Sequence, residues 1–446
     1  SLSCFVSGDF YDDLFEKSYL GKKAQYLSER YIKYGLQRCL DINGSYVFLI
    51  EDKDTNTYHI GTDENSFIPF YYTISGQNLY FSWDISRFLQ LGEGNFEINY
   101  DNLFSGLLFG GCTFGKETRL KNIYQLEPGS AISFNEYGLN IIKTDPFSFQ
   151  SNGNKNNENL ESAASNITKA VEKRIKRHDK ISLGFSAGLD SRILLSSGIK
   201  KYKEKFLTFT WGGINNYDRD IASLITKKYD IQHLPILLDD KMYIDYARDG
   251  VFYSAGSSLF KHGVQPHMFS TIKRSYNIKG HMEGPAMGIL IGGELYPGAI
   301  KDLKNRSDLL DYYRKHFFAL KQEQFTKLFI DSSRSIDFFE KTLNQIEDFL
   351  KIIPAENMVD LHAAFLFNTR IKFWYNHNLV NSLYSNRLLM PTYDHDFLKT
   401  ISGIPTKNRI DGSFRIKLLT TINNDNEKII NLLNVVPKLS MVYNTK

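Results

Sequence analysis

Between residues 160 and 238 the chain alternates between helix-type and strand-type segments, and this alternation restricts the fold more than any other feature. Residues 160–177 carry apolar side chains at helical spacing, the apolar run ISLGFS follows, and a glycine turn then leads into RILLSSGIKKY. The runs FLTFTW, DIASLITKKY and HLPILL repeat the pattern. Strands that alternate with helices predict a parallel sheet with helical crossovers. From about residue 302 onward the apolar spacing is mostly helical.

A different pattern precedes this region. Residues 46–142 contain short β-type runs that turn residues separate, which predicts antiparallel hairpins in a sandwich-like layer. The stretch SNGNKNNEN at residues 151–159 contains no apolar residue and is typical of a linker. We therefore expect two domains, comprising residues 1–150 and residues 157–446.

Composition excludes several classes of protein. The sequence has 54 Lys plus Arg against 50 Asp plus Glu and no long basic run, so we expect no nucleic-acid partner. Since no uninterrupted apolar segment reaches about 18 residues, we expect no membrane-spanning segment. Cys4, Cys39 and Cys112 form neither a pairable set nor a CxxC metal motif, which favours a reducing compartment. These observations predict a cytoplasmic protein.

The segment LGFSAGLDSR is the most informative for function. A buried strand enters a turn of small residues, and the helix that follows directs its unpaired N–H groups and positive dipole end at that turn, a geometry that binds phosphate. Ser186 and Ser191 add hydroxyl donors, while Ala187 and Gly188 let the backbone approach phosphate oxygens. Asp190 would repel phosphate unless a cation bridges them, which predicts Mg²⁺. The alternative is an ordinary strand-to-helix turn whose aspartate caps the helix.

The sequence SAGLDS resembles the SGGxDS pyrophosphate loop of the adenine-nucleotide α-hydrolase-like ATP pyrophosphatases, and specifically the synthetase half of asparagine synthetases and their relatives. Ala187 replaces the first glycine of the family motif. Five further segments resemble the same family, and they occur in the same order as in the family. These segments are FLTFTW with Asp218, Asp220 and Ala222; His233; IGGELYPG at residues 291–298; MPTYD at residues 390–394; and Ile404-Pro405 with Lys417.

The first domain resembles the class II glutamine amidotransferase domain of the same family. NGSYVF at residues 43–48 is similar to its NGxFAF, GTD at 61–63 with PFYY at 69–72 to its RDxxGxxPLYY, and LEPG at 126–129 to its LxPG. The resemblance implies an α+β, Ntn-hydrolase-like sandwich domain, followed by an α/β parallel-sheet ATP-pyrophosphatase domain with a helical C-terminal part.

Two departures from the family affect the first domain. An active glutaminase of this class uses the α-amine of an N-terminal cysteine as its base, but Cys4 follows three other residues. An NGE-type glutamine-binding stretch is also not found before Asn43. We therefore expect a scaffold without glutaminase activity, and we interpret Ser1 as a cloning remnant rather than a processed nucleophile.

The resemblance also implies site residues in the second domain. The nucleotide-binding residues would be Ser186, Ala187, Gly188, Leu189, Asp190, Ser191 and Thr210. Mg²⁺ would be held by Asp190 and Glu294, because the second metal-binding aspartate of the family falls on Gly293. The lysine that neutralises the departing pyrophosphate would be Lys417, or Lys446 at the end of the sequence, where part of the site would be missing if the chain continues.

Three histidines lie between Thr210 and Glu294 in the sequence. His262, His267 and His281 are five and fourteen residues apart, whereas two metal ligands on one helical face are three or four apart. We interpret them as loop or core residues. The glutamate that deprotonates the attacking amine in ring-forming relatives is not assigned by the sequence.

Together these features predict an ATP-dependent, AMP-forming amide ligase that adenylates a small-molecule or peptide carboxylate and couples it to an amine or ammonia. An intramolecular ring-forming synthetase or peptide cyclase, as in β-lactam synthetases and lasso-peptide cyclases, is one alternative. A non-catalytic ATP-binding or scaffold protein is another. The expected cofactors are ATP and Mg²⁺, and a homodimer is an expected assembly.

Overall fold

The structure is a computed structural model, and it describes residues 1–90, 97–111, 114–150, 156–186, 188–214, 216–254, 256, 260–292, 298–329, 331–376, 378–379 and 386–423. The strands are β1 (Leu2–Phe10), β2 (Gly44–Asp52), β3 (Thr57–Thr62), β4 (Tyr71–Ser75), β5 (Asn78–Ser82), β6 (Tyr124–Gln125), β7 (Ser130–Asn135), β8 (Gly138–Lys143), β9 (Ile181–Gly184), β10 (Phe206–Gly212), β11 (His233–Leu237), β12 (Gly280–Met282) and β13 (Arg387–Leu389).

The α-helices are α1 (Lys23–Tyr34), α2 (Gln37–Leu40), α3 (Tyr100–Leu108), α4 (Asn156–Lys176), α5 (Leu189–Tyr202), α6 (Tyr217–Lys228), α7 (Asp240–Asp245), α8 (Ala247–Ser254), α9 (Val264–Tyr276), α10 (Met287–Leu290), α11 (Arg306–Tyr312), α12 (Gln322–Thr326), α13 (Ser332–Ile352), α14 (Met358–Leu366), α15 (His395–Ser402), α16 (Thr406–Arg409) and α17 (Ser413–Asn423). Three π-helical segments are Phe15–Tyr19, Tyr313–Phe317 and Phe367–Tyr375. Shorter 3₁₀ turns are Ile85–Gln90, Lys203–Lys205, Phe260–Gly263, Gly298–Asp302 and Pro391–Tyr393.

The chain forms two compact units that do not follow a single cut in the sequence. Unit 1 comprises Ser1–Phe149, Arg248–Gly263 and Tyr296–Asn381, and unit 2 comprises Gln150–Ala247, Val264–Leu295 and Ser382–Lys446. The two expected domains stay a prediction. The two units differ from the two expected domains because Arg248–Gly263 and the mainly helical segment Tyr296–Asn381 belong to unit 1.

Unit 1 is built around a five-stranded antiparallel sheet with the order β1-β2-β3-β7-β8, and a second sheet has the order β5-β4-β6. The period of two along β2 explains how the sheet is covered on both faces. Tyr46 and Phe48 pack in a cluster with Tyr26 of α1, whereas Val47 packs with Tyr72 of β4. Helices therefore cover one face of the sheet and the smaller sheet covers the other, which confirms the expected antiparallel first part.

The helices of unit 1 share a core that is rich in phenylalanine. Leu108 of α3 packs in one cluster with Phe325 of α12 and with Phe338, Phe339 and Leu343 of α13. Each large aromatic ring removes much apolar surface from water. This cluster accounts for part of the 33 phenylalanines in the sequence.

Unit 2 contains a five-stranded parallel sheet with the order β11-β10-β9-β12-β13, as the strand and helix alternation predicts. The central strand is β9. From it the chain passes outward through β10 and β11, and it later returns to the opposite side of β9 to form β12 and β13. The direction of progress therefore reverses beside β9, and ligands of open α/β sheets bind at such a switch point, outside the carboxyl ends of the strands.

The boundary between the expected linker and the first helix of unit 2 differs from expectation. Residues 156–159 were expected in the linker but belong to α4, which begins at Asn156, while residues 151–155 lie outside the described part of the chain. A helix can start in a polar sequence when its later turns bury an apolar face, and α4 does so with Ile167 and Val171. Within the described ranges, no helix is both long and apolar enough to cross a membrane.

Candidate functional site

The SAGLDS turn connects β9 to α5 at the switch point of the parallel sheet. The backbone N–H of Ser186 donates to Oγ of Ser191 over 3.2 Å, and the N–H of Gly188 donates to Oγ of Ser186 over 3.1 Å. Oγ of Ser191 lies 3.3 Å from the carbonyl oxygen of Gly188, to which it donates. The two serine side chains therefore stabilise the turn through hydrogen bonds to its own backbone. Ala187 lies outside the described residues.

The helix α5 begins after a glycine. Gly188 is the N-cap residue and has no side chain with which to cap the first turn. Asp190 therefore lies in the first turn of α5 and not at the N-cap position. A Cβ atom on Gly188 would lie 3.1 Å from Oγ of Ser186, so a larger residue would press on the hydroxyl that holds the turn. The backbone N–H groups in the first turn of a helix point towards its start, and such a start can bind an anion.

Arg415 is the cation that the structure places at this turn. Its Nη1 lies 3.2 Å from Oδ1 of Asp190, and the Arg415 side chain is 11 % exposed against 29 % for Asp190. Arg415 is not among the site residues expected from the sequence. The available signal was its spacing from Leu418 and Leu419, which places all three on the buried face of α17.

The predicted lysines differ from Arg415 in position. Lys417 is exposed and lies two residues further along α17, which turns it away from the face that carries Arg415. Lys446 lies outside the described part of the chain. The assignment of either lysine to catalysis stays a prediction.

A second residue that the sequence analysis did not identify is Glu283, which follows β12 directly. In the register of the sheet, Met282 pairs with Leu183, so Glu283 emerges beside Gly184 at the end of β9. A Cβ atom on Gly184 would lie 3.1 Å from Oε1 of Glu283. The signal in the sequence was an acidic residue immediately after a short buried run, at the edge where parallel strands present their functional groups.

Thr210 lies on β10, next to the start of the turn. Its side chain is buried, and its hydroxyl donates to the carbonyl oxygen of Phe185. The N–H of Phe185 also donates to the carbonyl oxygen of Phe209 over 2.8 Å. Thr210 therefore anchors the residue before the turn to the neighbouring strand, and its predicted contact with a nucleotide stays a prediction.

The fit of the described residues to a metal differs from their fit to phosphate. The Asp190 carboxylate already faces a guanidinium, and no group of three or more His, Cys, Asp or Glu residues within the described ranges could hold a metal ion. Glu294, the second expected ligand, lies outside those ranges. Within the described ranges, the turn offers a nucleotide phosphate N–H groups, hydroxyls and Arg415, whereas the Mg²⁺ expected at Asp190 and Glu294 stays a prediction.

Two of the segments that suggested a synthetase hold the fold of unit 2 together. Asp394 of MPTYD lies 3.2 Å from Nη1 of Arg174, and both side chains are buried. Nδ1 of His233 lies 3.0 Å from Oγ1 of Thr208, and burial lowers the pKa of His233 to about 4. A neutral histidine that contacts the neighbouring strand is a packing element.

The motifs of the first domain meet around Asp63. Its carboxylate accepts hydrogen bonds from the N–H groups of Tyr46 and Asn65, over 3.0 and 2.9 Å. Its carbonyl oxygen accepts from the N–H of Gly129 over 2.8 Å. Burial raises the pKa of Asp63 to about 7. The segments NGSYVF, GTD and LEPG therefore come together around one buried carboxylic acid.

Cys4 lies within β1 rather than at an open active site. It pairs with Ile50 of β2 and packs against the apolar cluster of that sheet. Burial raises the pKa of the Cys4 thiol, and it raises the pKa of Cys39 to about 12. A raised pKa reduces the thiolate fraction, so neither thiol is activated as a nucleophile. Cys112 lies outside the described residues.

Comparison with known protein families identifies the first part of the chain. A glutamine amidotransferase domain family matches residues 24–146. The expected resemblance of the first domain is thereby confirmed at the level of that domain, whereas the asparagine synthetase-like type stays a prediction. A search of curated proteins finds no match.

Solved structures show distant similarity. The allosteric regulatory enzyme of purine biosynthesis is 10% identical, with 53% of this chain and 59% of that chain covered and a TM-score of 0.24. Glutamine phosphoribosylpyrophosphate amidotransferase from B. subtilis is 13% identical, with coverages of 52% and 45% and a TM-score of 0.23. The chain thus spans less than two thirds of either enzyme.

A third similar structure is the glutamine-dependent NAD⁺ synthetase from Acinetobacter baumannii. It is 12% identical, with 78% of this chain and 87% of that chain covered and a TM-score of 0.25. Similarity at these TM-scores supports no inference about fold or activity. The family match is therefore the finding that bears on the chain: residues 24–146 are similar to a glutamine amidotransferase domain.

Proposed function

We propose that this chain is an ATP-dependent, AMP-forming amide ligase that activates a carboxylate and couples it to an amine or ammonia. The observation that carries the proposal is the SAGLDS turn at the switch point of the parallel sheet, with the first turn of α5 after it and Arg415 beside Asp190. The turn would hold the β and γ phosphates of ATP as one leaving unit. The α-phosphate would then be open to attack by the substrate carboxylate.

Arg415 supplies the positive charge that the departing pyrophosphate needs. A guanidinium binds phosphate oxygens through two parallel hydrogen bonds, and such charge-assisted bonds are stronger than neutral ones. Asp190 accepts from Arg415 and thereby holds the guanidinium at the turn. Preorganised charge of this kind lowers the barrier to transfer.

Glu283 is the proposed acceptor for the proton of the attacking amine. Its side chain is 25 % exposed at the same edge of the sheet as the turn, beside Gly184. Amide formation requires the nitrogen to lose a proton as it bonds to carbon, and a carboxylate within reach provides general-base catalysis.

The amidotransferase-type domain is proposed to be a scaffold without glutaminase activity. Cys4 lies within a strand and its thiol pKa is raised by burial, so it lacks the features of an N-terminal nucleophile. The amine would therefore come from solution, from another protein or from the substrate itself. The last case is the ring-forming alternative.

Exchange of labelled pyrophosphate into ATP tests the proposal. We expect acid-dependent exchange with at least one member of a panel of amino acids, uronic acids and short peptides, and AMP as the nucleotide product. Asp190→Ala should abolish exchange, whereas Asp245→Ala, an exposed aspartate of α7, should leave it unchanged. ADP as the product, or no exchange with any acid, would refute the ligase.

A non-catalytic nucleotide-binding scaffold is the second candidate. It is favoured by the pairing of Asp190 with Arg415, where a metal ligand was expected. ATP binding that Asp190→Ala weakens, together with no exchange for any acid, is the result that supports the scaffold.

A further inference from the structure

Glu283 is connected to the interior of the sheet by a chain of hydrogen bonds. Nε2 of His281 lies 2.8 Å from Oε1 of Glu283, and Nδ1 of His281 lies 3.1 Å from Oγ of Ser182 on β9. Oγ of Ser182 also lies 3.4 Å from the carbonyl oxygen of Gly280. His281 therefore bridges the central strand of the sheet and the carboxylate at its edge.

His281 has no freedom to rotate in this position. The side chain is fully buried, and its ring lies between those of Phe209 and Phe269, with centroids 5.3 and 4.4 Å away. An ionised carboxylate only accepts hydrogen bonds, so Nε2 carries the proton that it donates to Glu283. Ser182 fixes the ring from the other side. The imidazole thus presents a donor to Oε1 of Glu283 in a fixed direction.

His233 shows that this arrangement is not the general way in which the sheet packs a histidine. It lies on β11 and contacts the hydroxyl of Thr208 on the neighbouring strand through Nδ1, as His281 contacts Ser182. No residue in the described part of the chain forms a hydrogen bond with its Nε2. The two histidines share a strand environment and a hydroxyl partner, and they differ in the carboxylate.

We propose that His281 is a positioning residue that holds the Glu283 carboxylate in place to accept the proton of the attacking amine. This inference rests on the proposed function. Glu283 follows a strand of three residues, and its carboxylate is partly exposed. Without the donor on His281 it would have several rotamers, most of which would move it away from the end of β9.

Gly184 provides the space on the other side of the carboxylate. Because a Cβ atom there would lie 3.1 Å from Oε1, a side chain at this position would compete with Glu283 for its place. The donor on His281 and the absence of a side chain at position 184 therefore define one location for the carboxylate. Hydrogen-bond partners that orient the ligands of metal sites are worth about 10- to 100-fold in activity, and we expect an effect of the same order for His281.

The test compares two substitutions of His281 in two partial reactions. The amide nitrogen of glutamine can take the place of Nε2, whereas that of asparagine takes the place of Nδ1 and leaves Glu283 without its donor. We measure pyrophosphate exchange for the activation step, and amide formation from labelled ammonium and a panel of primary amines for the coupling step. His281→Asn should lower amide formation about 10- to 100-fold, as should Glu283→Gln, and His281→Gln should retain most of it.

Exchange should stay near the wild-type rate in all three variants, because the activation step does not use Glu283. His233→Asn and His233→Gln are the matched controls for loss of a strand histidine that contacts a hydroxyl, and both should leave amide formation unchanged. Ser182→Ala removes only the hydroxyl that contacts Nδ1 of His281. It should give a smaller loss in the same step, and it tests the proposal even if His281→Asn does not fold.

Four outcomes decide the matter. Equal amide formation by His281→Asn and His281→Gln would overturn the positioning role and leave the ligase intact. A loss of exchange that matches the loss of amide formation would overturn it as well, since that pattern indicates general damage to the sheet. Wild-type protein without exchange would overturn the proposed function, and this inference with it. Exchange without an amide from any amine would overturn the coupling role of Glu283 and hence the role of His281.

Discussion

Nη1 of Arg415 lies 3.2 Å from Oδ1 of Asp190, so the carboxylate of the SAGLDS turn faces a guanidinium. An ion pair that is largely shielded from solvent keeps its strength better than an exposed pair does. Asp190 therefore carries its negative charge beside a phosphate-type turn with a compensating positive charge from α17. When phosphate binds, the guanidinium can donate to phosphate oxygens while one of its N–H groups still faces Asp190.

Removal of Arg415 should weaken ATP binding. Hydrogen bonds to charged groups contribute about 1.5 to 3 kcal/mol, which corresponds to a Kd that rises roughly 10- to 100-fold in Arg415→Ala. Arg415→Lys should retain part of the affinity. Isothermal titration with ATP, with and without Mg²⁺, measures the change, and Asp190→Ala should also weaken binding.

Lys417→Ala is the matched control, because Lys417 lies on the same helix and is exposed. It should bind ATP like the wild type. A larger loss in Lys417→Ala than in Arg415→Ala would restore the lysine as the phosphate-binding cation and contradict the role of Arg415.

The protein should release no glutamate from glutamine through Cys4. The thiol belongs to a strand residue whose backbone nitrogen is part of the chain, and burial raises its pKa, so neither a base nor a reactive thiolate is available. A coupled glutamate dehydrogenase assay measures release. Glutamate production that Cys4→Ala abolishes, and that Cys39→Ala does not, would contradict this expectation.

The sequence predicted the classes of fold because periodicity depends on neighbouring residues. Strand and helix alternation around ISLGFS gave the parallel sheet, and alternation within SYVFLIED gave β2, whose side chains cover both faces of the first sheet. The helix α1 and the strand β1 were not predicted. The assignment of the segments 248–263 and 296–381 to unit 1 could not be predicted either, because it depends on tertiary packing between residues far apart in sequence.

The candidate site shows the same division. The turn at Ser186 was found because a strand, small residues and a helix follow one another in the sequence. Arg415 and Glu283 lie more than 90 residues from it and reach it only through the order of strands and the packing of α17. A carboxylate next to a family-like motif suggested a metal ligand at Asp190. Its guanidinium partner became visible only in the folded chain.

Gly292→Ala should destabilise unit 2 strongly. Gly292 has φ of +97°, which L residues with a side chain rarely adopt, and a Cβ atom there would lie 1.2 Å from the carbonyl oxygen of Arg409. Since the obstacle is backbone and not a flexible side chain, we expect a loss of more than about 3 kcal/mol in the free energy of unfolding. Urea denaturation measures it.

Gly298→Ala is the control for this substitution. Among the described atoms, none lies within 4 Å of a Cβ built on Gly298. A substitution at an open position changes stability by about 0.5 kcal/mol or less. Equal effects of the two substitutions would show that the close approach of Gly292 to Arg409 does not limit the fold.

His233 should make the stability of unit 2 fall as the pH is lowered from about 6.5 towards 4. Burial lowers the pKa of the folded histidine to about 4 from an ordinary value of 6.5. Between these values the unfolded chain binds the proton more readily than the folded chain, so the contribution to stability is complete above pH 6.5 and is lost as the pH falls to about 4. One pKa unit corresponds to about 1.4 kcal/mol, and partial exposure of His233 reduces the full value, so we expect a loss of about 1 to 2 kcal/mol.

The measurement is the difference in unfolding free energy between wild type and His233→Gln at pH 7 and at pH 4.5. Because the glutamine does not titrate, carboxylates that protonate in both proteins cancel, and the wild type should lose stability relative to the variant as the medium becomes acidic. A difference that stays constant between the two pH values would show that His233 accepts a proton as easily in the folded chain as in the unfolded one.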